Sequence, residues 1–538
     1  MMSVYALPAV LALCTFQSMG QTTHPAPASK TGEPYELAGK RLVFTSWYYV
    51  RPGSFAWVDD KGNGVTVVGS QGPWEAHFRR HDYPHGIRLV VMPAQKVGPV
   101  IHFERPWEGK GVHIATLIHH EGKYKGWGGC QAADGKRFAC YFESKDGTAW
   151  ERPNLGLVEF QGSKDNNLLA SSPGTVFIDP AGPAEERYKA VSEGAVPKEK
   201  VEAFKKRRPD AWEHRSERAD VGQTFGILGA VSADGLNWRH LDDPLAIEHC
   251  DTQVVAYYDQ RLRKYVIYTR NWMVGPRYPG APDDRGLSWL NIGRRSIGRT
   301  ESENFREFPL SQVILEPGPE MLPSDTLYTN CKTTIPGAPD HHLLFPTVWH
   351  TSDDTCSVVV ASSHDGKIWH NLPGGPVLTT GPFGAWDGGC VFASPNLVEM
   401  PNGDFVLPYT GYIFPHKYPR GQWRFQTGYA VWAKGRLVAL EAVDRGEFAT
   451  VAIMPPGRKL RINALTQRAG SIVIEVVGPD GQPIAGRTFA EAKPIIGDQY
   501  KTLVTWKDHH DLGHKDGTHI LLRFRMEKAK LFGLDFEG

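Results

Sequence analysis

The chain lacks an excess of charge of either sign: across 538 residues, 60 Lys and Arg stand against 59 Asp and Glu, a formal net charge of +1. This balance gives no electrostatic footprint for nucleic acid or for an acidic membrane surface, so neither is expected as a partner. Apolar runs long enough to cross a bilayer are missing too, which excludes a multi-span membrane protein. With 22% charged and 41% hydrophobic residues, the composition is globular, and the length allows two or three domains.

Signatures of several catalytic classes are also missing. No CxxC pair occurs, which argues against a zinc ribbon or a thioredoxin-type site. Neither a P-loop nor a GxSxG elbow is found, and His341-His342 lacks the helical spacing of an HExxH zinc motif. The stretch 126–129 has no βαβ context for a dinucleotide. We therefore expect no metal and no cofactor.

Cysteine is sparse, with six residues after position 20: Cys130, Cys140, Cys250, Cys331, Cys356 and Cys390. Cys130 and Cys140 flank a polar turn and could form a disulfide between neighbouring strands in an oxidising compartment. Buried free thiols that act as small hydrophobic side chains are equally compatible with the pattern.

Residues 1–20 have the features of an export signal. The apolar run Val4–Phe16 is too short to span a bilayer, and the small residues Ser18 and Gly20 precede the expected cleavage point. Residues 21–34 read as a flexible tether. The alternative is a lipid anchor at Cys14, although the residue before it is large for that purpose. The sequence thus predicts export to the periplasm or the extracellular space.

One turn recurs along the chain in the form Ser-x-Asp-Gly-x-x-Trp. Its three copies are Ser144–Trp150, Ser232–Trp238 and Ser363–Trp369, and Thr300–Phe305 is a degenerate fourth. Each follows a β-like run. Asp-Gly supplies the turn, Gly takes the positive φ, and the Trp covers the sheet edge. We interpret these turns as structural and assign them no chemistry.

Between the turns lie strand pairs closed by polar residues, and helical periodicity is rare. One charged helix is predicted within residues 198–213. The pattern therefore predicts an all-β chain.

The recurring turns, the phrase Arg187-Tyr188-Lys189-Ala190 and the strand-pair spacing together resemble the five-bladed β-propeller glycosidases of glycoside hydrolase families 32, 43 and 117. The resemblance covers roughly residues 100–435. The Trp-x-Asn-Asp-Pro-Asn-Gly, Arg-Asp-Pro and Glu-Cys signatures of family 32 are absent, so a fructan substrate is not supported. The resemblance implies a catalytic propeller over residues 101–440 that hydrolyses a plant or algal poly- or oligosaccharide.

The two flanks have their own expectations. Residues 441–538 contain strands and a tight turn at Pro479–Gln482, and they resemble the β-sandwich that follows the propeller in family 32 enzymes. Residues 35–100 are expected to be β-strands that cover or complete the first blade. The predicted fold is thus a five-bladed β-propeller followed by a C-terminal β-sandwich.

Carboxylates that precede the first strand of a blade are the candidate catalytic groups, because the innermost strands of a propeller ring its funnel. Asp251, Asp325 and Asp387 each occupy such a position. Glycoside hydrolysis needs a proton donor and a second carboxylate. Asp251 and Asp387 are the predicted pair and Asp325 assists, although an Asp at a strand start often only caps a turn. Glu193, from a second strand, is a weaker candidate for the acid.

Several side chains could bind the substrate around these carboxylates. Arg270 could clamp a carboxylate or sulfate on a sugar, or it could orient Asp251. His416 could hydrogen-bond the substrate or hold an ion in the channel. Glu108, which opens the first blade, is a fourth candidate carboxylate. The aromatic platforms expected to stack on sugar faces are Trp107, Trp272, Tyr328 and Trp386, although single Trp residues in β proteins usually belong to the core.

Other functions remain open at this point. A non-catalytic carbohydrate-binding propeller would use the aromatic residues alone. A polysaccharide lyase on the same scaffold would need a Tyr or His base beside an Arg, for which Tyr328, His416 and Arg270 qualify. A phosphorylase would depend on added phosphate.

Overall fold

The computed structural model describes residues 33–52, 56–58, 64–66, 84–213, 216–218, 222–273, 293–419, 422 and 424–538. The predicted export signal, Cys14 and almost all of the predicted tether lie outside these residues. Within them the chain is all-β, as expected, and the only α-helix is α1 (Lys198–Arg207), inside the segment where a charged helix was predicted. Short 3-10 turns occur at Trp47–Tyr49, Pro106–Glu108, Ala184–Glu186, Pro209–Ala211 and Ala433–Gly435.

Six short strands precede the first long antiparallel pair. They are β1 (Tyr35–Glu36), β2 (Arg41–Leu42), β3 (Ala56–Val58), β4 (Gly64–Thr66), β5 (Arg88–Val91) and β6 (Gln95–Val97). β3 and β4 pair with each other, and the other four pair with strands of the last third of the chain.

Five antiparallel groups of strands follow. The first consists of β7 (Gly111–His120), β8 (Lys123–Gln131), β9 (Arg137–Ser144) and β10 (Leu168–Leu169). The second consists of β11 (Thr175–Ile178), β12 (Tyr188–Val196), β13 (Glu217–Arg218), β14 (Gln223–Ser232) and β15 (Arg239–His240). The third consists of β16 (Val255–Asp259), β17 (Lys264–Met273), β18 (Arg294–Ser302) and β19 (Gln312–Leu315).

The fourth group has strands that are interrupted, so that it forms two short sheets placed end to end. They contain β20 (Asp325–Leu327), β21 (Lys332–Ile335), β22 (Ala338–Leu344), β23 (Thr347–His350), β24 (Thr355–Val358), β25 (Ala361–Ser363), β26 (His370–Asn371) and β27 (Leu378–Thr379). The fifth group consists of β28 (Cys390–Ala393), β29 (Val398–Glu399), β30 (Phe405–Tyr412) and β31 (Phe425–Trp432). It is completed by β6, whose Val97 pairs with Tyr429 of β31.

The groups contact one another in a closed cycle. β7 packs on β11, β11 on β16, β18 on β20 and β24 on β28, and β30 returns to β7. A parallel bridge between Phe425 and Gly111 joins the fifth group directly to the first. At the centre, Gln253 spans two further groups, because its amide nitrogen donates to the carbonyl of Ala393 and its amide oxygen accepts from the backbone of Cys331.

Three recurring turns link their group to a neighbouring group. In the second group, Asp234 accepts hydrogen bonds from the backbone of Leu236 and Asn237, and Gly235 has a φ of +78°. The carbonyl of Gly235 also accepts from Trp127 of the first group at 2.6 Å. The corresponding carbonyls of Gly147 and Gly366 accept from Tyr429 and Tyr268, each in the preceding group. The turns are therefore structural, as predicted, and they also link neighbouring groups.

The last strands form one further sheet. They are β32 (Val438–Ala449), β34 (Lys459–Val477), β35 (Asp498–Leu503) and β36 (Leu521–Glu537), whereas β33 (Ile453–Met454) lies in a separate two-stranded sheet. The sheet has the order β35-β34-β36-β32-β5, with β2 also paired to β36, and β1 pairs with β33. Bulges interrupt its long strands, for example between Thr466 and Ser471.

The strands of residues 35–100 differ from the expectation in their partners. β2 and β5 belong to the C-terminal sheet and β6 to the fifth group, whereas none of the six pairs with β7–β10 among the residues described. The physical reason is that β31 and β32 need edge partners, and the chain before β7 passes both of them.

Candidate functional site

Asp251 lies between two arginines just before β16. Its Oδ1 accepts hydrogen bonds from Arg270 of β17 and from Nη2 of Arg295 of β18, the latter at 3.1 Å. The two arginine side chains are only 1% and 8% exposed, whereas that of Asp251 is 29% exposed. The carboxylate therefore lies at the surface of a depression, and the two guanidinium groups lie beneath it.

The two guanidinium groups are close enough to affect each other. Burial, together with the positive charge of Arg295, lowers the pKa of Arg270 to about 10, and the Asp251 carboxylate opposes this shift. Arg270 thus remains protonated at neutral pH. Both buried cations form ion pairs with the same carboxylate. Burying charges costs free energy that such pairs do not fully repay, so stability alone does not explain this arrangement.

Aromatic side chains continue the wall of the depression. The guanidinium carbon of Arg295 lies 4.1 Å from the ring centre of Tyr328 and 5.7 Å from that of Trp272. The register explains the second contact, because Trp272 and Arg295 are directly opposite each other on β17 and β18. Tyr328 then packs on Phe392 and lies 4.6 Å from the ring of His416, centre to centre.

His416 stands at the far end of this wall. Its ring also contacts Trp349 and Phe392, and it helps line a small pocket together with Phe392, Tyr412 and Phe414. Burial, and next the charge of Lys417, lowers the pKa of His416 to about 4. The imidazole is therefore neutral at physiological pH, with one nitrogen that can donate and one that can accept.

Several polar atoms in this wall have no hydrogen-bond partner within the described part of the chain. They are Nη1 of Arg295, Nε1 of Trp272 and both ring nitrogens of His416. Buried polar groups in folded proteins are nearly always hydrogen-bonded. Three neighbouring residues with free donors, around one depression, are therefore typical of a ligand-binding site.

Glu193 of β12 brings a second carboxyl group within electrostatic range of Asp251. It is solvent-exposed, yet the surrounding protein removes enough of its hydration to raise its pKa. The negative charge of Asp251 also raises the pKa of Glu193, while Arg270 lowers it. A carboxyl group with a raised pKa near an ion-paired carboxylate is the usual arrangement of a general acid and its partner.

Two of the predicted catalytic residues have partners of their own. Asp325 is buried, and its Oδ1 is 2.8 Å from Nδ1 of His350, whose Nε2 is 3.0 Å from the hydroxyl of Ser357. Asp387 is also buried, and it accepts from Lys96 at 2.7 Å and from the hydroxyl of Tyr409 at 3.0 Å. No hydrogen bond or ion pair between described residues connects either of them to Asp251.

Three of the predicted substrate contacts pack within the protein: Glu108 and Trp107 are buried, and Trp386 is half-buried. Glu108 is fully buried and forms an ion pair with Arg152 at 2.7 Å. Its carboxylate also accepts hydrogen bonds from the two backbone amides just before a 3-10 turn. Trp107 is buried and donates to Asn167. Trp386 packs on Tyr409 and fills the space above Gly411 and Gly428, where a Cβ would lie within 2.5 Å of its ring.

Of the predicted site residues, the structure brings together Asp251, Arg270, Trp272, Tyr328 and His416. Sequence reasoning missed Arg295, Trp349 and Phe392. The signal for Arg295 was the position opposite Trp272 in a hairpin, which the length of the intervening segment 274–293 concealed. Trp349 and Phe392 were hidden as ordinary apolar residues of strands.

Among the residues that the structure describes, no group of three or more His, Cys, Asp or Glu could hold a metal ion. The same residues include no helix long and apolar enough to cross a membrane.

Comparisons with known proteins add the following. No family model matches the chain, and no curated protein does. Among solved structures, it is similar to an N-acetylgalactosamine deacetylase from F. plautii at 12% identity and a TM-score of 0.41, over 64% of this chain and 96% of that one. It is also similar to an α-L-arabinofuranosidase from Podospora anserina, at 11% identity and a TM-score of 0.38, over 64% and 98% of the two chains. A Bombyx mori family 32 β-fructofuranosidase matches at 11% identity and a TM-score of 0.35, over 82% and 95%. Glycoside hydrolases are thus among the matched structures, as the resemblance in the sequence anticipated.

Proposed function

We propose that this chain is an exported glycoside hydrolase in which the five groups of strands are the blades of a propeller. The closed cycle of contacts from β7 round to β30 and the completion of the fifth group by β6 support this arrangement. We further propose that the C-terminal sheet packs as a β-sandwich-like module. The substrate is a plant or algal poly- or oligosaccharide, whose ring stacks on the aromatic wall.

The observation that carries the proposal is the pair formed by Glu193 and Asp251. Glu193, with its raised pKa, donates a proton to the oxygen of the leaving group. Asp251 is the second carboxylate, which either attacks the sugar or activates the water that does so. Arg270 and Arg295 fix its position. Asp387 and Asp325 remain the alternative carboxylates proposed from the sequence.

The experiment is reducing-sugar release from neutral, uronate-bearing and sulfated polysaccharides by the wild type and four variants. Glu193→Gln and Asp251→Asn are expected to lower release about 10²–10⁴-fold with the fold intact, as is usual for loss of a general acid or its partner. Asp325→Asn and Asp387→Asn are expected to retain turnover. Glu199→Gln, an exposed residue of α1, removes the same charge as a control. Loss of activity in Asp387→Asn with activity retained in Glu193→Gln would contradict this assignment.

A second candidate function, β-elimination by a polysaccharide lyase, has an observation of its own. The neutral imidazole of His416 lies against Tyr328, and the guanidinium group of Arg295 lies over the Tyr328 ring. A lyase needs a base that removes the proton next to the uronate carboxyl group, an acid that protonates the leaving oxygen on the adjacent carbon, and a cation that neutralises the carboxylate. Its product carries a new double bond that absorbs in the ultraviolet, which hydrolysis products do not, so the same panel read by absorbance separates the two reactions.

A further inference from the structure

We infer that the depression binds an anionic sugar through Arg295, the anion being a carboxylate or a sulfate ester. This inference rests on the proposed carbohydrate site and names the chemical class of its substrate. The uronate and the sulfate share the chemistry of a planar or tetrahedral oxyanion that accepts hydrogen bonds from a guanidinium.

Arg295 has one guanidinium nitrogen that makes no hydrogen bond within the described residues. Its Nη2 donates to Asp251, whereas its Nη1 is buried and has no partner within the described residues. The residue is 6% exposed, so water from the surface does not replace the missing acceptor freely. An arginine presents paired donors, and a second oxyanion beside Asp251 would satisfy the one that remains.

Other polar atoms near Arg295 that lack a partner among the described residues are hydrogen-bond donors. The indole nitrogen of Trp272, next to Arg295, can only donate, and it too is buried without a partner in the described ranges. His416, beyond Tyr328, offers a further donor. Donors that outnumber acceptors favour a group that only accepts, and an ionised carboxylate or sulfate is such a group, whereas a sugar hydroxyl must also donate.

Positively charged side chains surround the depression. Arg270, Arg295 and Lys417 contribute three positive charges, and Lys417 lies 5.8 Å from the ring centre of Tyr328. The carboxylates that face them are Asp251, already shared by both arginines, and Asp354, which accepts from Trp349 and from the backbone of Lys417. Glu193 is a third carboxyl group nearby, and loss of hydration, with the charge of Asp251, raises its pKa. The two arginines thus share Asp251 between them, and an oxyanion beside it would meet two guanidinium groups.

The test compares matched ligands by calorimetry in the Glu193→Gln variant, so that binding is measured without turnover. One pair is a hexuronate disaccharide and the neutral hexose disaccharide of the same linkage, and the other is a sulfated galactose disaccharide and its unsulfated form. At least one anionic ligand is expected to bind about tenfold or more tightly than its neutral partner, as a charge-assisted hydrogen bond provides. Preference for the uronate or for the sulfate identifies the source of the anion.

Variants locate the effect. Arg295→Gln is expected to reduce the preference to about threefold or less, and Arg295→Lys, which keeps the charge but not the fork, to restore part of it. Arg294→Gln is the matched control, because it removes the same charge one position away on β18, where the side chain bonds the carbonyls of Leu322 and Asp325. Its preference is expected to stay at the wild-type value.

The inference is overturned if neither anionic ligand binds more tightly than its neutral partner, or if Arg295→Gln folds and keeps the full preference. Should Arg295→Gln fail to fold, Arg295→Lys and the ligand pairs decide the question. Turnover confined to neutral sugars would refute the anion site and leave hydrolysis standing. A clear anion preference without turnover of any substrate by the wild-type protein would refute hydrolysis and leave the anion site standing.

Discussion

Lys332 offers a test of the electrostatics of the interior, because it is a buried lysine without an ion pair among the described residues. Its ammonium group lies 4.4 Å from the ring centre of Tyr257 and donates to the carbonyl of Thr333. Burial lowers the pKa of Lys332 from 10.5 to about 7, and the charge of Asp259 only partly opposes this. Protonation of the folded protein is therefore penalised relative to the unfolded chain.

The size and the sign of the effect follow from this difference. At 1.36 kcal/mol per pKa unit, the penalty is about 3–5 kcal/mol below pH 7. Because the folded pKa lies below the unfolded one, the unfolded chain binds more protons between pH 7 and 10.5, and stability rises with pH across that window. Lys332→Met is thus expected to stabilise the protein by about 2–4 kcal/mol at pH 6 and by about half as much at pH 9.

The assay is urea unfolding of the wild type and the variant at the two pH values. Lys189→Met is the matched control, since Lys189 is equally buried but pairs with the fully buried Asp179 at 2.7 Å. Removing that partner leaves a buried carboxylate unpaired and is expected to cost about 3–5 kcal/mol. The same substitution therefore has opposite signs at the two sites. A Lys332→Met protein that is no more stable than the wild type at pH 6, or whose gain is independent of pH, would refute the reasoning.

Three further predictions concern the turns and the thiols. Gly235→Ala would place a Cβ 2.9 Å from Trp127 at a φ of +78°, so it is expected to destabilise the protein by about 2–3 kcal/mol. Gly122→Ala, whose φ is +72° but whose surroundings are open, is expected to cost about 1 kcal/mol. Equal melting temperatures for the two variants would contradict this expectation. Although burial alone would raise it, backbone amides lower the pKa of Asp234 to about 2. Because Asp234 is exposed, Asp234→Ala is expected to cost only about 1 kcal/mol at pH 7, and the cost should vanish between pH 4 and 2, as urea midpoints at each pH would report. The six cysteines after residue 20 are buried and free, so a thiol reagent is expected to titrate all six only after unfolding; a count of four would indicate that Cys130 and Cys140 are bridged.

The sequence predicted those parts of the fold that depend on neighbours in the chain. The Ser-x-Asp-Gly-x-x-Trp turns have the predicted glycine φ and hydrogen bonds because their chemistry is contained within seven residues. The partners of β2, β5 and β6 were not predictable in this way. Their pairing depends on which sheet edges remain open near the end of the chain, and nothing in three or four residues encodes that choice.

The same limit applies to the candidate site. Asp251 and Arg270 were found because they flank strand ends, where a side chain reaches the funnel. Asp325, Asp387 and Glu108 occupy equivalent positions, but a neighbouring strand supplies each with a partner: His350, Lys96 or Arg152. Those partners lie 25–291 residues away in the chain, so spacing alone could not separate a partly exposed carboxylate such as Asp251 from one that is buried with its partner.

The pairing of β6 with β31 also sets the order in which the molecule can assemble. β6 leaves the ribosome before any of the five groups, whereas β31 is synthesised last among them. The cycle of strand groups cannot close until nearly the whole chain has been synthesised. Contacts between residues so far apart in the chain make this final docking step slow. The proposed export would benefit from this delay, because a chain that closes late stays unfolded while it crosses a membrane.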